Sequence, residues 1–251
     1  MRRRYRRRVQ DDLFEPLRVC ALEIGEAVKA HRGRGLSGLR ESQYHLDLVA
    51  DEVALRVLGS AGFAVVSEES GITGGGELTV VVDPIDGSTN CDRGIPFYAT
   101  SLAVLRGDEL VAGHVTNQAT GTIYEAQKGA GSFRDGVAIR SSGQTDFSKS
   151  IVGFSGLASR HLGWAQSRSL GAASLEICLV ADGSLDVYGV AQQSTLNPWD
   201  YLAGLLIVRE SGGFAADYLG DELEIATMAL RRPVFAASRE LLTFMLAEGI
   251  L

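Results

Sequence analysis

Hydrophobic residues near the start of the chain recur at helical spacing. Leu13, Leu17, Cys20, Ile24 and Val28 lie three or four positions apart, which predicts an amphipathic helix. The following pattern predicts, in order, a glycine-rich charged loop over residues 32–41, a helix near 46–58, a short strand at 64–66 and, beyond the glycines at 74–76, a strand at 78–82. Two helices are therefore expected to lead into a sheet.

Strands and helices are predicted to be distributed differently over the two halves of the chain. Strands separated by short polar turns are expected at residues 98–105, 110–116 and 122–126, which indicates an antiparallel meander. From about residue 150 the pattern alternates between strands at 151–154, 185–190, 214–216 and 234–237 and helices after 171, after 199 and at 239–248. This predicts an α+β N-terminal subdomain over residues 13–149 and an α/β C-terminal subdomain over 150–251.

Composition narrows the classes of protein to consider. With 251 residues and 45% hydrophobic content the chain can bury a sizeable core, and a net charge of −7 argues against a general nucleic-acid binder. The three cysteines match neither a zinc site nor a disulfide framework, and no stretch approaches the ~20 apolar residues needed to cross a bilayer. We therefore expect a cytoplasmic protein without membrane association.

A dense basic block at residues 2–8 is the exception in this acidic chain. Its arginines can contact anionic surfaces or nucleic acid, or they can belong to a frayed and solvated terminus. The second interpretation predicts a basic, disordered tail over residues 1–12, and nucleic acid is not an expected partner.

The most informative stretch is Asp83-Pro84-Ile85-Asp86-Gly87-Ser88-Thr89-Asn90, which follows the apolar run at 80–82. Pro84 restricts the backbone of this turn, and Gly87 allows the chain to bend after it. The two carboxylates can therefore converge on one hard cation while the Ile85 carbonyl turns toward the same point. If a helix begins near Ser88, the backbone amides of Gly87, Ser88 and Thr89 can cradle an anion.

Two further carboxylates stand at the ends of predicted elements. Glu68 closes the strand at 64–66, and Asp200 opens the helix predicted over 201–210. With Asp83 and Asp86 they would carry about −4, to which a phosphate monoester adds about −2, so the site needs cations to offset like-charge repulsion. Two to three Mg²⁺ ions, about +4 to +6, would bring the sum close to zero.

In the order of its motifs the chain resembles the inositol monophosphatase superfamily of Mg²⁺-dependent, lithium-sensitive sugar and polyol phosphatases. The similarity covers nearly the whole chain after the first dozen residues and lies in six segments: Ala50-Asp51, Glu68-Glu69-Ser70, Asp83 to Asn90, Lys128-Gly129-Ala130-Gly131, Arg168 to Ala173 and Trp199-Asp200. It implies a layered α-β-α-β-α sandwich with the active site where the halves meet. It also implies a small phosphorylated metabolite as the partner, and a homodimer.

The resemblance further assigns roles to individual residues. The metal ligands would be Glu68, Asp83, the carbonyl oxygen of Ile85, Asp86 and Asp200. Ser88, where the family commonly has threonine, would act with Asp51 to orient and help activate the attacking water, so the candidate catalytic residues are Asp51, Glu68 and Ser88.

Some of these assignments have alternatives. Asp47 lies one helical turn before Asp51 and either can face the site, although Ala54 and Leu58 continue the pattern of Asp51 and favour it. Gly171-Ala172 offers a second helix start near the substrate, while simple helix packing explains the glycine equally well. Glu69 is expected to lie outside the metal ligands. The loop at 32–41 either closes over a third metal or merely links two helices.

The substrate is specified less clearly than the chemistry. Inositol-phosphate members of the family carry an acidic residue a few positions beyond a strand matching Asp186-Val187-Tyr188, but here Gly189-Val190 follow, and the segment at 191–196 is polar. Histidinol phosphate, fructose 1,6-bisphosphate and a nucleotide 3′-phosphate are therefore alternative substrates. A non-catalytic RNA-binding or regulatory protein on the same fold is the alternative from another class.

Overall fold

The computed structural model describes residues 2–40 and 42–250, and from residue 13 onward it also describes the side chains in these ranges. Helix α1 spans Arg2–Ala30 and helix α2 spans His45–Ser60. The backbone of residues 2–12 thus continues the first helix, which differs from the disordered tail expected there; arginine and glutamine favour helices, and no Gly or Pro interrupts this segment. The side chains of the arginine block lie outside the described residues.

An eight-stranded sheet occupies the centre of the N-terminal half. Its strands are β1 (Ala64–Ser67), β2 (Gly71–Thr73), β3 (Leu78–Asp86), β4 (Ala99–Arg106), β5 (Glu109–Asn117), β6 (Ile123–Gln127), β7 (Gly131–Arg134) and β8 (Val137–Ala138), with the short helix α3 (Ser88–Arg93) after β3. The spatial order is β2-β1-β3-β4-β5-β6-β7-β8, in which only β1 and β3 are parallel. The predicted meander is confirmed as β4 to β6 and continues through β7 and β8.

A five-stranded sheet and three helices form the C-terminal half. The elements are a 3-10 turn (Phe147–Lys149), β9 (Ile151–Ser155), β10 (Gln166–Arg168), α4 (Ala173–Ala181), β11 (Val187–Val190), α5 (Pro198–Glu210), β12 (Phe214–Asp217), β13 (Pro233–Ala236) and α6 (Arg239–Glu248). The strand order is β10-β9-β11-β13-β12. None of the helices in the described ranges combines the length and apolar character of a membrane span.

The alternation of side chains along β3 shows how the layers assemble. Val80 and Val82 pack with α1 and α2, whereas Val81 points to the other face and packs with α4 and α5. The second sheet repeats this arrangement, because Tyr188 faces α4 and α5 while Val187 packs with α6. The layers are therefore α1/α2, large sheet, α4/α5, small sheet and α6, which confirms the expected α-β-α-β-α sandwich.

Candidate active site

Four carboxylates from three elements line one cavity of about 240 Å³. Asp83 and Asp86 lie at the end of β3, Glu68 directly follows β1, and Asp200 is in the first turn of α5. The parallel pairing of β1 with β3 places Ser67 beside Val82, and the amide of Glu68 donates to the carbonyl of Val82 at 3.2 Å. Glu68 therefore lies next to Asp83, as the sequence predicted. The same cavity is lined by Ile85, Gly87, Ser88 and Thr89.

The pKa values of these carboxyl groups are raised because the carboxyl groups are largely removed from solvent and most of their charged neighbours are acidic. Burial, followed by the charges of Glu69 and Asp47, raises the pKa of Glu68 to about 7. Burial raises the pKa of Asp86 to about 6 despite hydrogen bonds from Ser174. Burial and neighbouring acidic groups raise the pKa values of Asp83 and Asp200 well above the usual aspartate range.

Backbone interactions hold the acidic turn in place. Gly87 adopts a φ of +82°, and a Cβ at this position would lie 2.9 Å from the carbonyl oxygen of Gly171. Glycine is therefore required both by the left-handed conformation and by the close contact. The hydroxyl of Thr100 donates to the carbonyl of Pro84 at 2.9 Å, and Asn90 Nδ2 donates to the carbonyls of Phe97 and Leu170 at 2.8 and 2.7 Å.

The structure corrects the choice between Asp47 and Asp51. Asp51 is buried behind the cavity, where its Oδ1 accepts hydrogen bonds from Ser67 Oγ at 2.5 Å and Ser70 Oγ at 3.3 Å. Asp47 instead lines the cavity and interacts with the hydroxyl of Ser88. Asp51 therefore does not contact Ser88 in the way that the sequence reasoning expected.

The start of α2 explains why Asp47 faces the cavity. The helix begins just after Tyr44, and the backbone amide of Tyr44 donates to Asp47 Oδ2 at 2.7 Å, as in half of a capping box. Asp47 Oδ1 is buried and has no hydrogen-bond partner within the described part of the chain. Burial, with a smaller contribution from Glu69, raises the pKa of Asp47 to about 7. The signal in the sequence was an acidic residue in the first turn of the helix.

Gly171 and Ala172 do not contribute to the acidic cavity. The first amides of α4, those of Ala173 and Ser174, donate to the carboxylate of Asp86 at 3.1 and 2.7 Å. The amide of Gly171 donates to Glu176 at 3.2 Å. The expected second phosphate cradle is therefore occupied by protein carboxylates, although both residues line a neighbouring cavity.

The loop before α2 contributes residues that sequence reasoning missed. Arg40, Ser42 and Gln43 line the cavity, and Arg40 Nη2 donates to the carbonyl oxygen of Glu69 at 2.6 Å and to its Oε2 at 2.5 Å. Gln43 Nε2 also donates to Glu69 Oε2. The hydroxyls of Tyr44 and Thr89 lie 3.1 Å apart. Glu69 is therefore occupied in holding this loop at the edge of the cavity.

The Lys128-Gly129-Ala130-Gly131 segment lies apart from this cavity and has a structural contact. It forms the turn between β6 and β7, and the amides of Gly129 and Gly131 each donate to a carboxylate oxygen of Glu210 at 2.8 Å. The motif therefore ties the large sheet to the end of α5.

The donor set of the cavity fits Mg²⁺. Its lining offers carboxylate and carbonyl oxygens, and Asp83 Oδ1 is buried without a hydrogen-bond partner in the described ranges. Among the described residues, no three or more His, Cys, Asp or Glu side chains are already arranged so that they could hold a metal ion by themselves. Mg²⁺ keeps several waters and binds through few carboxylates together with substrate phosphate, so an open acidic cavity suits it better than a closed cage.

Comparison with known proteins identifies the family. The model of the inositol monophosphatase family matches residues 21–248. This chain belongs to the inositol monophosphatase family. It is 36% identical over 213 residues to a fructose-1,6-bisphosphatase/inositol-1-monophosphatase of Thermococcus kodakarensis, covering 82% of each chain. It is 31% identical over 197 residues to an inositol-1-monophosphatase of Mesorhizobium japonicum, covering 70% of this chain and 72% of the relative.

A solved structure shows that the likeness to the inositol monophosphatase family extends over the whole fold. A Pyrococcus horikoshii protein, described as hypothetical with similarities to inositol-1 monophosphatase, superposes with a TM-score of 0.78 at 27% identity and 99% coverage of both chains. The family assignment made from the sequence motifs is confirmed, and with it the class of enzyme, a phosphoric monoester hydrolase.

Proposed function

We propose that this protein is a Mg²⁺-dependent phosphomonoesterase that hydrolyses a small sugar, polyol or nucleotide phosphate by direct attack of water. The supporting observation is the convergence of Glu68, Asp83, Asp86 and Asp200 on one cavity in a member of this phosphatase family. These four carboxylates have raised pKa values and repel one another, so their retention is best explained by cations that bind among them. This argues against the non-catalytic alternative.

The ligands for Mg²⁺ would be the carboxylates of Glu68, Asp83, Asp86 and Asp200 and the carbonyl oxygen of Ile85, each of which lines the cavity. Mg²⁺, when bound, supplies positive charge against the phosphoryl oxygens and lowers the pKa of water. Asp86 is held in place by the amides of α4, and Asp200 Oδ2 accepts the amide of Asn197 at 2.7 Å. Both carboxylates are therefore oriented before any ligand arrives.

Ser88 and Asp47 would position the attacking water. The amide of Tyr44 fixes the Asp47 carboxylate, and the Ser88 hydroxyl can donate to that carboxylate while its own oxygen accepts a hydrogen bond from water. Such a pair aims a lone pair of the water at phosphorus and can take up its proton. Gly87, Ser88 and Thr89 line the cavity, and their backbone amides are candidate uncharged donors for phosphoryl oxygens.

Turnover of p-nitrophenyl phosphate tests this proposal. We expect no hydrolysis in chelator, restoration by Mg²⁺, and inhibition by lithium or by excess Ca²⁺, whose larger radius and looser geometry position water poorly. The unfolding temperature should rise on addition of Mg²⁺, because a ligand that binds only the folded state stabilises it. Equal turnover in chelator and in Mg²⁺ would rule out the metal-dependent mechanism.

A substrate panel narrows the physiological reaction. Inositol 1-phosphate and fructose 1,6-bisphosphate represent the activities after which the relatives are named. Histidinol phosphate and a nucleotide 3′-phosphate represent the remaining alternatives. The substrate with the highest kcat/KM would identify the class of leaving group.

The cellular setting is also part of the proposal. Cys20, Cys91 and Cys178 are free thiols, which fits a reducing, cytoplasmic compartment. The homodimer rests on resemblance alone, and light scattering of the purified protein would measure it directly.

A further inference from the structure

A β-bulge shapes the turn that carries two of the proposed metal-binding carboxylates. In the pairing of β3 with β4 the register shifts between Asp83 and Asp86, so β3 has one more residue than β4 over this stretch. Pro84 and Ile85 therefore stand opposite Thr100. A bulge breaks the regular ladder and changes the direction of the side chains beside it. The contacts that hold this bulge thus influence how the carboxylates are presented.

The side chain of Thr100 provides a hydrogen-bond partner for the bulge. It is fully buried, and its hydroxyl donates to the carbonyl oxygen of Pro84 at 2.9 Å. Thr100 lies on the same face of β4 as Leu102 and Val104, which pack in the apolar layer with α1 and α2. A hydroxyl group in such surroundings costs free energy unless it is hydrogen-bonded, so its contact with Pro84 is a specific feature of this layer.

Gln118 fixes the orientation of the Thr100 hydroxyl. It directly follows β5, and its Nε2 donates to Thr100 Oγ1 at 2.8 Å and to the carbonyl oxygen of Ala21 in α1 at 2.7 Å. A carbonyl oxygen only accepts, so the amide nitrogen of Gln118 is the atom that faces α1. Because the Thr100 oxygen accepts a hydrogen bond from this amide, its single proton is directed to Pro84.

Helix α1 can approach Gln118 because Gly25 has no side chain. A Cβ at Gly25 would clash with Oε1 of Gln118. The backbone amide of Gln118 donates to the carbonyl oxygen of Tyr98 at 3.0 Å, and the residue is only 7% exposed. Both ends of Gln118 are therefore held, and a chain of hydrogen bonds runs from α1 through Gln118 and Thr100 to the acidic turn.

Holding the Pro84 carbonyl restricts the backbone directly before Ile85. The ring of Pro84 already fixes its φ, and a hydrogen bond to its carbonyl oxygen restricts ψ, the remaining backbone rotation of this residue. Because the peptide is planar, the direction in which the chain enters Ile85 is then set. Asp83 and Asp86 flank these two residues and line the acidic cavity with them. A looser bulge would let the carboxylates move apart and would weaken their hold on a cation.

We propose that Gln118 and Thr100 are positioning residues for the metal site. Gln118 orients Thr100, and Thr100 holds the Pro84 carbonyl and thereby the bulge that presents Asp83 and Asp86 to Mg²⁺. Neither positioning residue lines the acidic cavity, so both act on the affinity for Mg²⁺ through this chain of hydrogen bonds. The inference rests on the Mg²⁺-dependent function proposed above.

The test measures the Mg²⁺ requirement of Gln118→Met and Thr100→Val. Methionine fills a similar volume without the amide, and valine replaces the threonine hydroxyl with a methyl group. Each variant should need roughly 10-fold more Mg²⁺ for half-maximal hydrolysis of p-nitrophenyl phosphate, as for the loss of an outer contact of a metal site. At saturating Mg²⁺, kcat and KM should return close to the wild-type values, because the metal ligands themselves are unchanged.

Thermal melts make the test independent of turnover. Without substrate, the Mg²⁺ concentration that produces a given rise in unfolding temperature should be about 10-fold higher in both variants than in the wild type. A purely structural role would lower the unfolding temperature in chelator and leave this dependence on Mg²⁺ unchanged, which would overturn the proposal. Thr100→Val preserves the shape of a buried side chain, so it decides the question even if Gln118→Met does not fold.

Three comparison variants separate positioning from packing. Thr100→Ser keeps the hydroxyl and should keep the wild-type Mg²⁺ requirement. The double variant Gln118→Met/Thr100→Val should need no more Mg²⁺ than Thr100→Val alone, because Gln118 acts through Thr100. Thr116→Val is the matched control, since Thr116 pairs with Thr100 across the strands but its hydroxyl lies 2.8 Å from His114 Nε2. It should leave the Mg²⁺ requirement unchanged.

The wild type and the variants report on different claims. If Mg²⁺ stabilises the wild type and supports hydrolysis, but Gln118→Met and Thr100→Val have the same Mg²⁺ requirement, the positioning role alone is overturned. Additive increases in the double variant would likewise contradict action through Thr100. A wild type that is neither stabilised nor activated by Mg²⁺ would overturn the proposed function, and this inference with it.

Discussion

Two buried acidic regions of this protein differ in how their charge is balanced. In the acidic cavity, Glu68, Asp83, Asp86 and Asp200 have raised pKa values. Glu125 behaves oppositely, because hydrogen bonds from His114 and Arg18 outweigh the effect of burial and lower its pKa to about 2.

The contacts of Glu125 explain this contrast. Its Oε1 lies 2.9 Å from Nδ1 of the fully buried His114, and Arg18 of α1 donates to both of its oxygens at 2.8 and 2.6 Å. Here the fold supplies the positive charge that a buried carboxylate requires. In the acidic cavity Arg40 is paired with Glu69, while Glu68, Asp83 and Asp200 face mainly other acidic groups, so we expect bound cations to supply their balancing charge. The comparison distinguishes a structural ion pair from a site prepared for cations.

We expect Asp83→Asn to have the largest effect on activity and to change stability as well. It should lower kcat by roughly 10³-fold or more, because an electrostatic contributor at the reacting centre is lost. In chelator the variant should nevertheless unfold at a higher temperature than the wild type at neutral pH, since like-charge repulsion is reduced. Phosphatase assays and thermal melts with and without Mg²⁺ measure both effects.

Glu69→Gln is the matched variant at the edge of the same cavity. Glu69 is held by Arg40 and Gln43, so this change should cost only a few-fold in kcat and retain stabilisation by Mg²⁺. Similar behaviour of the two variants under saturating Mg²⁺ would show that the metal ligands have been assigned wrongly.

Ser88→Ala and Asp47→Asn test the two residues of the acidic cavity that are proposed to position the attacking water. Each should lower kcat by roughly 10²-fold with little change in KM, as for a lost positioning or proton-transfer group. The double variant should be little worse than either single one, because the two residues act as a unit. Ser88→Thr should stay active, since it keeps the hydroxyl.

Asp51→Asn provides the control for Asp47→Asn. Asp51 is bound by Ser67 and Ser70 behind the cavity, so its replacement should reduce thermal stability more than kcat. A loss of kcat in Asp51→Asn equal to that in Asp47→Asn would restore the assignment first made from the sequence.

Glu125→Gln tests the other side of the comparison and should affect stability alone. The folded-state pKa of Glu125 lies near 2, below its ordinary value of 4.5, so its ionised form stabilises the protein above pH 4.5. This contribution, roughly 3 kcal/mol from the size of the shift, is lost as the pH falls from about 4.5 toward 2. Denaturant unfolding of wild type and variant should therefore differ most at neutral pH and converge in acid. An equal difference at every pH would contradict the assignment.

Much of the architecture could be predicted from the chain. The alternation in β3 and the helical spacing in α1 are local patterns, and both survive in the folded protein. Choosing between Asp47 and Asp51 was harder, because the decisive fact is where α2 begins. Helix boundaries depend on capping contacts and shift by a residue or two without any change in the hydrophobic pattern.

Residue types and their order were enough to indicate the chemistry. Carboxylates at the ends of three predicted elements already pointed to cations and phosphate, since oxygen ligands and like charges at those positions have few other uses. Contacts between distant segments had to come from the folded chain. Arg40 binds Glu69 and the amides of α4 bind Asp86, and both contacts join segments that are far apart in the chain. The burial of Glu176 Oε1 without a partner among the described residues is likewise a result of packing. Such contacts follow from how layers meet in space, and no spacing along the chain encodes them directly.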